Sequence, residues 1–176
     1  LDLAYAPLQL SKVNRWEAGR YDHLWQLYSP NKALGLTGVR AAYAIAPLDA
    51  QERVNQLAGL CASWPLGAHG VALLGCWVSA EVQDWLKTSL QTLGAWKVRQ
   101  IALLQALGWT CLPSDTHFFC AKPGRPLDLT RLRAAGIKLR DTTSFGLPGY
   151  FRLSVQPPMA QDALKMSLQT GRSSLQ

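Results

Sequence analysis

Ser29-Pro30-Asn31-Lys32-Ala33-Leu34-Gly35-Leu36-Thr37-Gly38-Val39-Arg40 follows directly on the apolar run Leu24-Trp25-Gln26-Leu27-Tyr28. The run predicts a short strand with both faces covered, and Ser29-Pro30-Asn31 is a turn signal that ends it. A lone lysine just past a buried strand is unusual, because burying an ammonium is costly. Burial lowers a lysine's pKa and makes it usable as a nucleophile for Schiff-base chemistry. Ser29 and Arg40 offer a hydroxyl and a guanidinium to a phosphate, and Gly35 and Gly38 let the backbone come close. The rival reading is a surface loop with a solvated lysine, and on spacing alone it is the better one. No Gly-Lys-Ser/Thr stands at the spacing of a nucleotide-binding P-loop.

Outward from this segment, Leu1 to Tyr5 reads as the end of a buried strand, and residues 8–22 as a polar loop. Arg40 to Ala46 reads as a strand. Asp49 is placed to cap a helix running to about Leu60, with Glu52 at the capping-box position. Residues 66–78 read as a buried apolar helix after Pro65. Residues 80–107 carry Val82, Leu86, Leu90, Leu93, Ile101 and Leu104 at helical spacing, ended by Gly108. Short strands are then expected at 109–112, 117–122, 137–140 and 150–155, and helices at 128–135 and 159–169. The expected organisation is a piece of a parallel α/β sheet over 1–100, a small α+β domain over 101–170 and a frayed tail over 171–176.

The chain has 176 residues, 48% of them hydrophobic and 16% charged, which predicts a globular chain. Its formal charge of +7 is spread thinly, with only Arg131, Arg133, Lys138 and Arg140 loosely grouped. No nucleic-acid motif accompanies them, so neither nucleic acid nor, for want of a long apolar run, a membrane is expected as a partner. Cys61, Cys76, Cys111 and Cys120 form no Cys-x-x-Cys pair, and no His lies at finger spacing, so no metal site is expected. All four sit among apolar neighbours, as reduced core thiols of a cytoplasmic protein would. The N-terminus lacks both a signal-peptide pattern and an initiator Met, so the start reads as a cut.

Four collinear stretches resemble the C-terminal half of the class I and II aminotransferases, pyridoxal-phosphate (PLP) enzymes of fold type I. Ser29 to Arg40 is similar to their Ser-x-x-Lys…Gly-Leu-x-Gly-x-Arg pattern. Asp2-Leu3-Ala4-Tyr5 resembles the Asp-Glu-Ala-Tyr element about thirty residues before the lysine. Pro113-Ser114-Asp115-Thr116-His117-Phe118 resembles the Pro-Ser-x-x-Asn-Phe strand of the small domain. Leu139-Arg140-Asp141 with Gly149-Tyr150-Phe151-Arg152-Leu153-Ser154-Val155 resembles the Val-Arg-Asp…Gly-x-x-Arg-Ile-Ser-Val ending. The nearest branch holds histidinol-phosphate aminotransferase and the threonine-phosphate decarboxylase of cobalamin synthesis.

The resemblance implies a role for each matching residue. Lys32 would carry the cofactor as a Schiff base and shuttle the proton at the substrate α-carbon. Asp2 would pair with the pyridine nitrogen, and Tyr5 would donate to the ring oxygen. Ser29 and Arg40 would hold the phosphate. Arg152 would grip the substrate carboxylate and face Lys32 across the domain cleft, with Arg140 near a second anionic group. The chain departs from the pattern at Leu3, where Glu is usual, at Pro30 and Asn31 before the lysine, and at His117, where Asn is usual. His23 and His69 carry no motif. Neither Trp64 nor Trp77 lies at the position of the family's ring-stacking aromatic.

The function expected is amino transfer on a small amino-acid or amino-phosphate substrate, by a homodimer. The alternatives are decarboxylation of an O-phospho amino acid and a catalytically silent interaction domain. Without the family's N-terminal half the isolated chain is expected to be inactive and to hold PLP loosely or not at all. An open sheet edge and the 66–78 helix would then be covered by another chain.

Overall fold

A computed structural model describes residues 1–11 and 21–170. The expected tail and most of the 8–22 loop lie outside the described residues. The chain divides into two compact units, Leu1–Leu90 and Gln91–Gln176. The division falls inside a 27-residue helix, ten residues before the boundary expected from sequence.

In the first unit, β1 (Gln26–Tyr28) pairs antiparallel with β2 (Tyr43–Ile45). On its other edge β1 accepts the N-terminal residues in parallel, through the Asp2–Leu27 bridge. Leu3 N donates to Leu27 O at 2.8 Å and Leu27 N to Leu1 O at 2.9 Å. The expected parallel piece is therefore a mixed one. The first five residues give one bridge rather than a strand, because Pro7 and the 3-10 turn Ala6–Leu8 bend the chain away. β1 is also less covered than its apolar sequence predicts: Leu27 is 50% exposed on one face, and Ile45, opposite Gln26 on the other face, is 47% exposed.

Helices α1 (Gln51–Leu60) and α2 (Ala68–Trp77) follow. The expected cap at Asp49 is not made. Ala50 is the N-cap and has no side-chain hydrogen bond, because the helix starts one residue too late for Asp49. Glu52 then falls at the second helical position rather than the third, and accepts from Gln56 Nε2 at 3.4 Å instead. α2 is not buried as expected: only Gly70 and Leu73 turn inward. A Cβ on Gly70 would stand 3.1 Å from Arg40 O, so the lack of a side chain lets α2 lie against the 40–41 backbone. A small core joins Leu8, Ala33 and Leu86, with Tyr5, Trp77 and Leu90 packed on it. Cys61 and Cys76 are exposed rather than core thiols, since neither α1 nor the outer side of α2 is covered.

The second unit begins within α3 (Ala80–Ala106) and has a larger core. α3 ends in a Schellman motif. Gly108 takes φ +83°, Gly108 N donates to Gln105 O at 2.9 Å, and Trp109 N donates to Leu104 O at 3.0 Å. A four-stranded antiparallel sheet follows in the order β3-β4-β6-β5, built from Thr110–Cys111, Phe118–Lys122, Phe151–Ser154 and Arg140–Asp141. One sheet face carries Phe119, Ala121, Leu153 and Val155. It packs with Leu104, Trp109 and residues of α4 (Leu129–Ala134) and α5 (Pro158–Thr170). Cys111 and Cys120 lie partly buried in this sheet, and burial raises the Cys111 thiol pKa. Among the described residues no helix is long and apolar enough to cross a membrane.

Candidate active site

In the first unit the end of β1 gathers most of the residues singled out by sequence. Lys32 lies in the turn after the strand rather than on it. Leu34 N donates to Pro30 O at 3.0 Å and Leu36 N to Asn31 O at 2.8 Å, and Gly35 closes the turn at φ +68°. The buried Ala33 pins this turn to the core, which leaves Lys32 half-buried beside it. Its Nζ stands 4.0 Å from the Tyr5 ring centroid, within the range of a cation–π contact. Tyr5 is held there by the 3-10 turn that it opens, with Leu8 N donating to Tyr5 O at 3.0 Å. Asp2 bridges to Leu27, two residues before Ser29. Its Oδ1 accepts from Ala4 N at 2.9 Å, and the side chain is exposed.

Ser29 Oγ lies 2.8 Å from Ala41 O and 2.8 Å from Asn31 Oδ1. A hydroxyl has one proton, so it donates to one of these at a time. The bond to Ala41 ties the end of β1 to the residue after Arg40. Arg40 itself is exposed, and its Nη1 donates to Thr37 O at 3.4 Å. Lys32 is thus brought directly onto Tyr5, whereas Arg40 is joined to the group only through the backbone beside it. Among the described residues no cluster of three His, Cys, Asp or Glu side chains could hold a metal.

Arg140 and Arg152 belong to the second unit. They are register partners across β5 and β6, and Cys120 on β4 is the partner of Arg152 on the other side. Phe118 and Ser154, also partners, extend the same sheet face. The Arg152 guanidinium lies 4.0 Å over the Phe118 ring and that of Arg140 5.1 Å over Phe145. Two cations directly opposite on antiparallel strands repel, and an anion between them relieves the repulsion. A cavity of about 450 Å³ opens at this place, with Lys138, Arg140, Arg152 and His117 in its lining and, among the described residues, no carboxylate. His117 has its pKa pushed down by burial, then by the charges of Arg152 and Lys97.

Two residues here drew no attention in the sequence. Lys97 is buried, and its Nζ donates to the carbonyls of Ser114 and Thr116, holding the turn that carries His117. Burial lowers its pKa, against the opposing charge of Asp115. Gln100 Nε2 donates to Ser154 O at 3.1 Å while its Oε1 accepts from Gln156 N at 2.9 Å, which fixes the end of β6. Their signal was available: with Leu93 and Leu104 they occupy one helical face, so two polar side chains stand at core positions. Lys97→Met should cost about 1–3 kcal/mol by leaving those carbonyls without their donor. A denaturant titration against the unchanged protein checks this, and an unchanged midpoint would mean that the turn holds itself.

The family model "Aminotransferase class I and II" matches residues 1–169. A histidinol-phosphate aminotransferase of Jannaschia sp. is 27% identical over 142 residues, 78% of this chain but 38% of the relative. The chain therefore spans well under half the length of this curated relative. Among solved structures, the histidinol-phosphate aminotransferase from Clostridium acetobutylicum superposes with a TM-score of 0.79 at 14% identity, over 99% of this chain and 54% of the other. The L-threonine-O-3-phosphate decarboxylase from Porphyromonas gingivalis does so with a TM-score of 0.68 at 23% identity, over 99% and 55%. At these identities the two structures show a shared fold.

Proposed function

This chain belongs to the class I and II aminotransferases, and from that premise we propose that it serves a PLP-dependent amino transfer, with Lys32 as the residue that carries the cofactor. The observation that carries the reading is the gathering of Lys32, Tyr5, Asp2 and Ser29 around the end of β1, with the lysine ammonium against the tyrosine ring. The donor set suits PLP: an amine for its aldehyde, a carboxylate for its ring nitrogen, a phenol for its ring oxygen, and a hydroxyl with a guanidinium for its phosphate.

When bound, PLP supplies an electron sink for the pair left at the substrate α-carbon. The chain's own residues do the rest. Lys32 would hold the cofactor by its aldehyde carbon and would move a proton at the substrate α-carbon. Asp2 would keep a proton on the ring nitrogen, and the Tyr5 hydroxyl would donate a hydrogen bond to the ring oxygen. Ser29 and Arg40 would bind the phosphate. Arg152 offers a planar two-pronged donor that matches the substrate carboxylate, which orients the amino acid. The substrate is a small amino acid or amino phosphate, and the working form is a homodimer. The apolar groove of Leu36, Val39, Leu73, Val82 and Trp85 in the first unit supports a second copy, since exposed patches of this kind mark interfaces. Four free cysteines suit a cytoplasmic setting.

Decarboxylation of an O-phospho amino acid is the second reading. It is favoured by the three cations and missing carboxylate of the second-unit cavity, which suit a substrate with two anionic groups. The full-length protein, given PLP, candidate amino acids and a keto acid, separates the two. Keto-acid-dependent product formation supports amino transfer. Carbon dioxide release without a keto acid supports the decarboxylase, and the absence of both leaves a silent domain.

Arg152→Lys in the full-length protein should raise the amino-acid KM about 10- to 100-fold, as expected for one charge-assisted hydrogen bond lost. PLP affinity should be unchanged. Equal losses of both would point to a folding role for Arg152.

A further inference from the structure

The amino-transfer reading leaves the His117 side chain in the second-unit cavity without a role. His117 lines it together with Arg152, Arg140 and Lys138. It stands on the loop entering β4, and its carbonyl accepts from Val155 N at 2.8 Å, so the backbone beneath the imidazole is fixed to β6. Its ring meets the Phe118 ring edge-on at 5.4 Å, while the Arg152 guanidinium lies 4.0 Å over the same Phe118 ring. Imidazole and guanidinium therefore share one aromatic partner at the cavity wall.

We propose that His117 sets the charge preference of this site: it gains a proton when an anion seats on Arg152, so that ligands with two negative charges are held better than those with one. The inference rests on the reading of Arg152 as the anion-binding residue.

The charges around His117 account for this. Arg152 faces it from β6 and Lys97 from α3, and both disfavour the imidazolium. Asp115, in its own loop, acts on Lys97. Lys138 and Arg140 add positive charge across the cavity, and no carboxylate among the described residues lines it. Without a bound anion the imidazole is held below its ordinary pKa by burial and then by the Arg152 and Lys97 charges. A bound anion offsets the Arg152 charge and lets the pKa rise. Binding then takes up a proton, and by linkage affinity increases as pH falls through that interval. Each unit by which the anion raises the pKa strengthens binding about tenfold on the acid side. A dianion offsets more charge than a monoanion and gains more.

Sulfate and methanesulfonate serve as probes, because neither changes its own charge between about pH 5 and 8, where histidine titrates. Calorimetric titration of the 176-residue chain should show sulfate binding that tightens several-fold from about pH 8 to about pH 5.5. Methanesulfonate should tighten less, and His117→Asn should remove most of the difference. In the unsubstituted chain, the His117 ring resonance should titrate at higher pH with sulfate than without. A His117 titration unmoved by sulfate, or a pH dependence kept in His117→Asn, would overturn the proposal. Equal pH dependence for the two anions would overturn the charge preference. If sulfate fails to bind at either pH, the anion-site role of Arg152 falls with it. The cofactor role of Lys32 stands apart, because its test does not use this cavity.

Discussion

Replacing Lys32 by alanine in the full-length protein should abolish turnover together with the borohydride-reducible PLP adduct. The lysine has two roles in the proposed reaction: it holds the cofactor aldehyde and it moves a proton at the α-carbon. Loss of a positioned proton-transfer group alone costs about 10²–10⁴-fold in rate. The fold should survive, because Lys32 is half-buried and its described contact is with the face of the Tyr5 ring, while the neighbouring Ala33 supplies the core packing. Exposed cation–π contacts contribute only about 0.5–1 kcal/mol. Unchanged circular dichroism with no adduct and no turnover is the expected pattern. Retained turnover would assign the chemistry to another group.

The largest effect on stability should come from Phe119. Its side chain is 1% exposed and lies on β4 opposite Leu153, among Leu104, Ala121, Leu132 and Leu164. Central β4 is bounded by β3 and β6, so the sheet has little freedom to collapse into a space left behind. Phe119→Ala should therefore cost about 3–5 kcal/mol, the range for emptying a packed aromatic site. The next residue in β4, Cys120, is the register partner of Arg152, so the same substitution should loosen the anion site. Chemical denaturation monitored by tryptophan fluorescence measures the loss through Trp109, buried in the same core. A loss under about 1 kcal/mol would mean that this core repacks far more readily than cores of its kind.

Much of the fold was legible in the sequence. The long α3 followed from its apolar spacing and from Gly108, whose left-handed backbone ends it. The small sheet's strands lie at or next to the short ranges expected after Gly108, and its order places Arg140 opposite Arg152, which no local pattern reveals. Burial was less legible. The run 24–28 and the helix 68–77 are apolar enough to be core, yet both keep exposed faces. Sequence records how apolar a segment is and is silent on what covers it. The cap at Asp49 failed for a local reason, a one-residue shift that leaves the carboxylate ahead of the N-cap. The candidate site residues came from resemblance rather than from periodicity, because Lys32 on its own reads as a solvated loop lysine. Lys97 and Gln100 were missed because a polar residue on an amphipathic helix is normally assigned to solvent, and only its phase against Leu93 and Leu104 says otherwise.

Lys32 as the cofactor lysine is open to direct chemical proof. Its direct test is to incubate the full-length protein with PLP, reduce with borohydride, digest, and locate the modified lysine by mass spectrometry. The account predicts one stoichiometric pyridoxyl group on Lys32, displaced from it by an amino-acid substrate before reduction. A pyridoxyl group found instead on Lys97, Lys122 or another lysine, or no stable adduct at all, would contradict it.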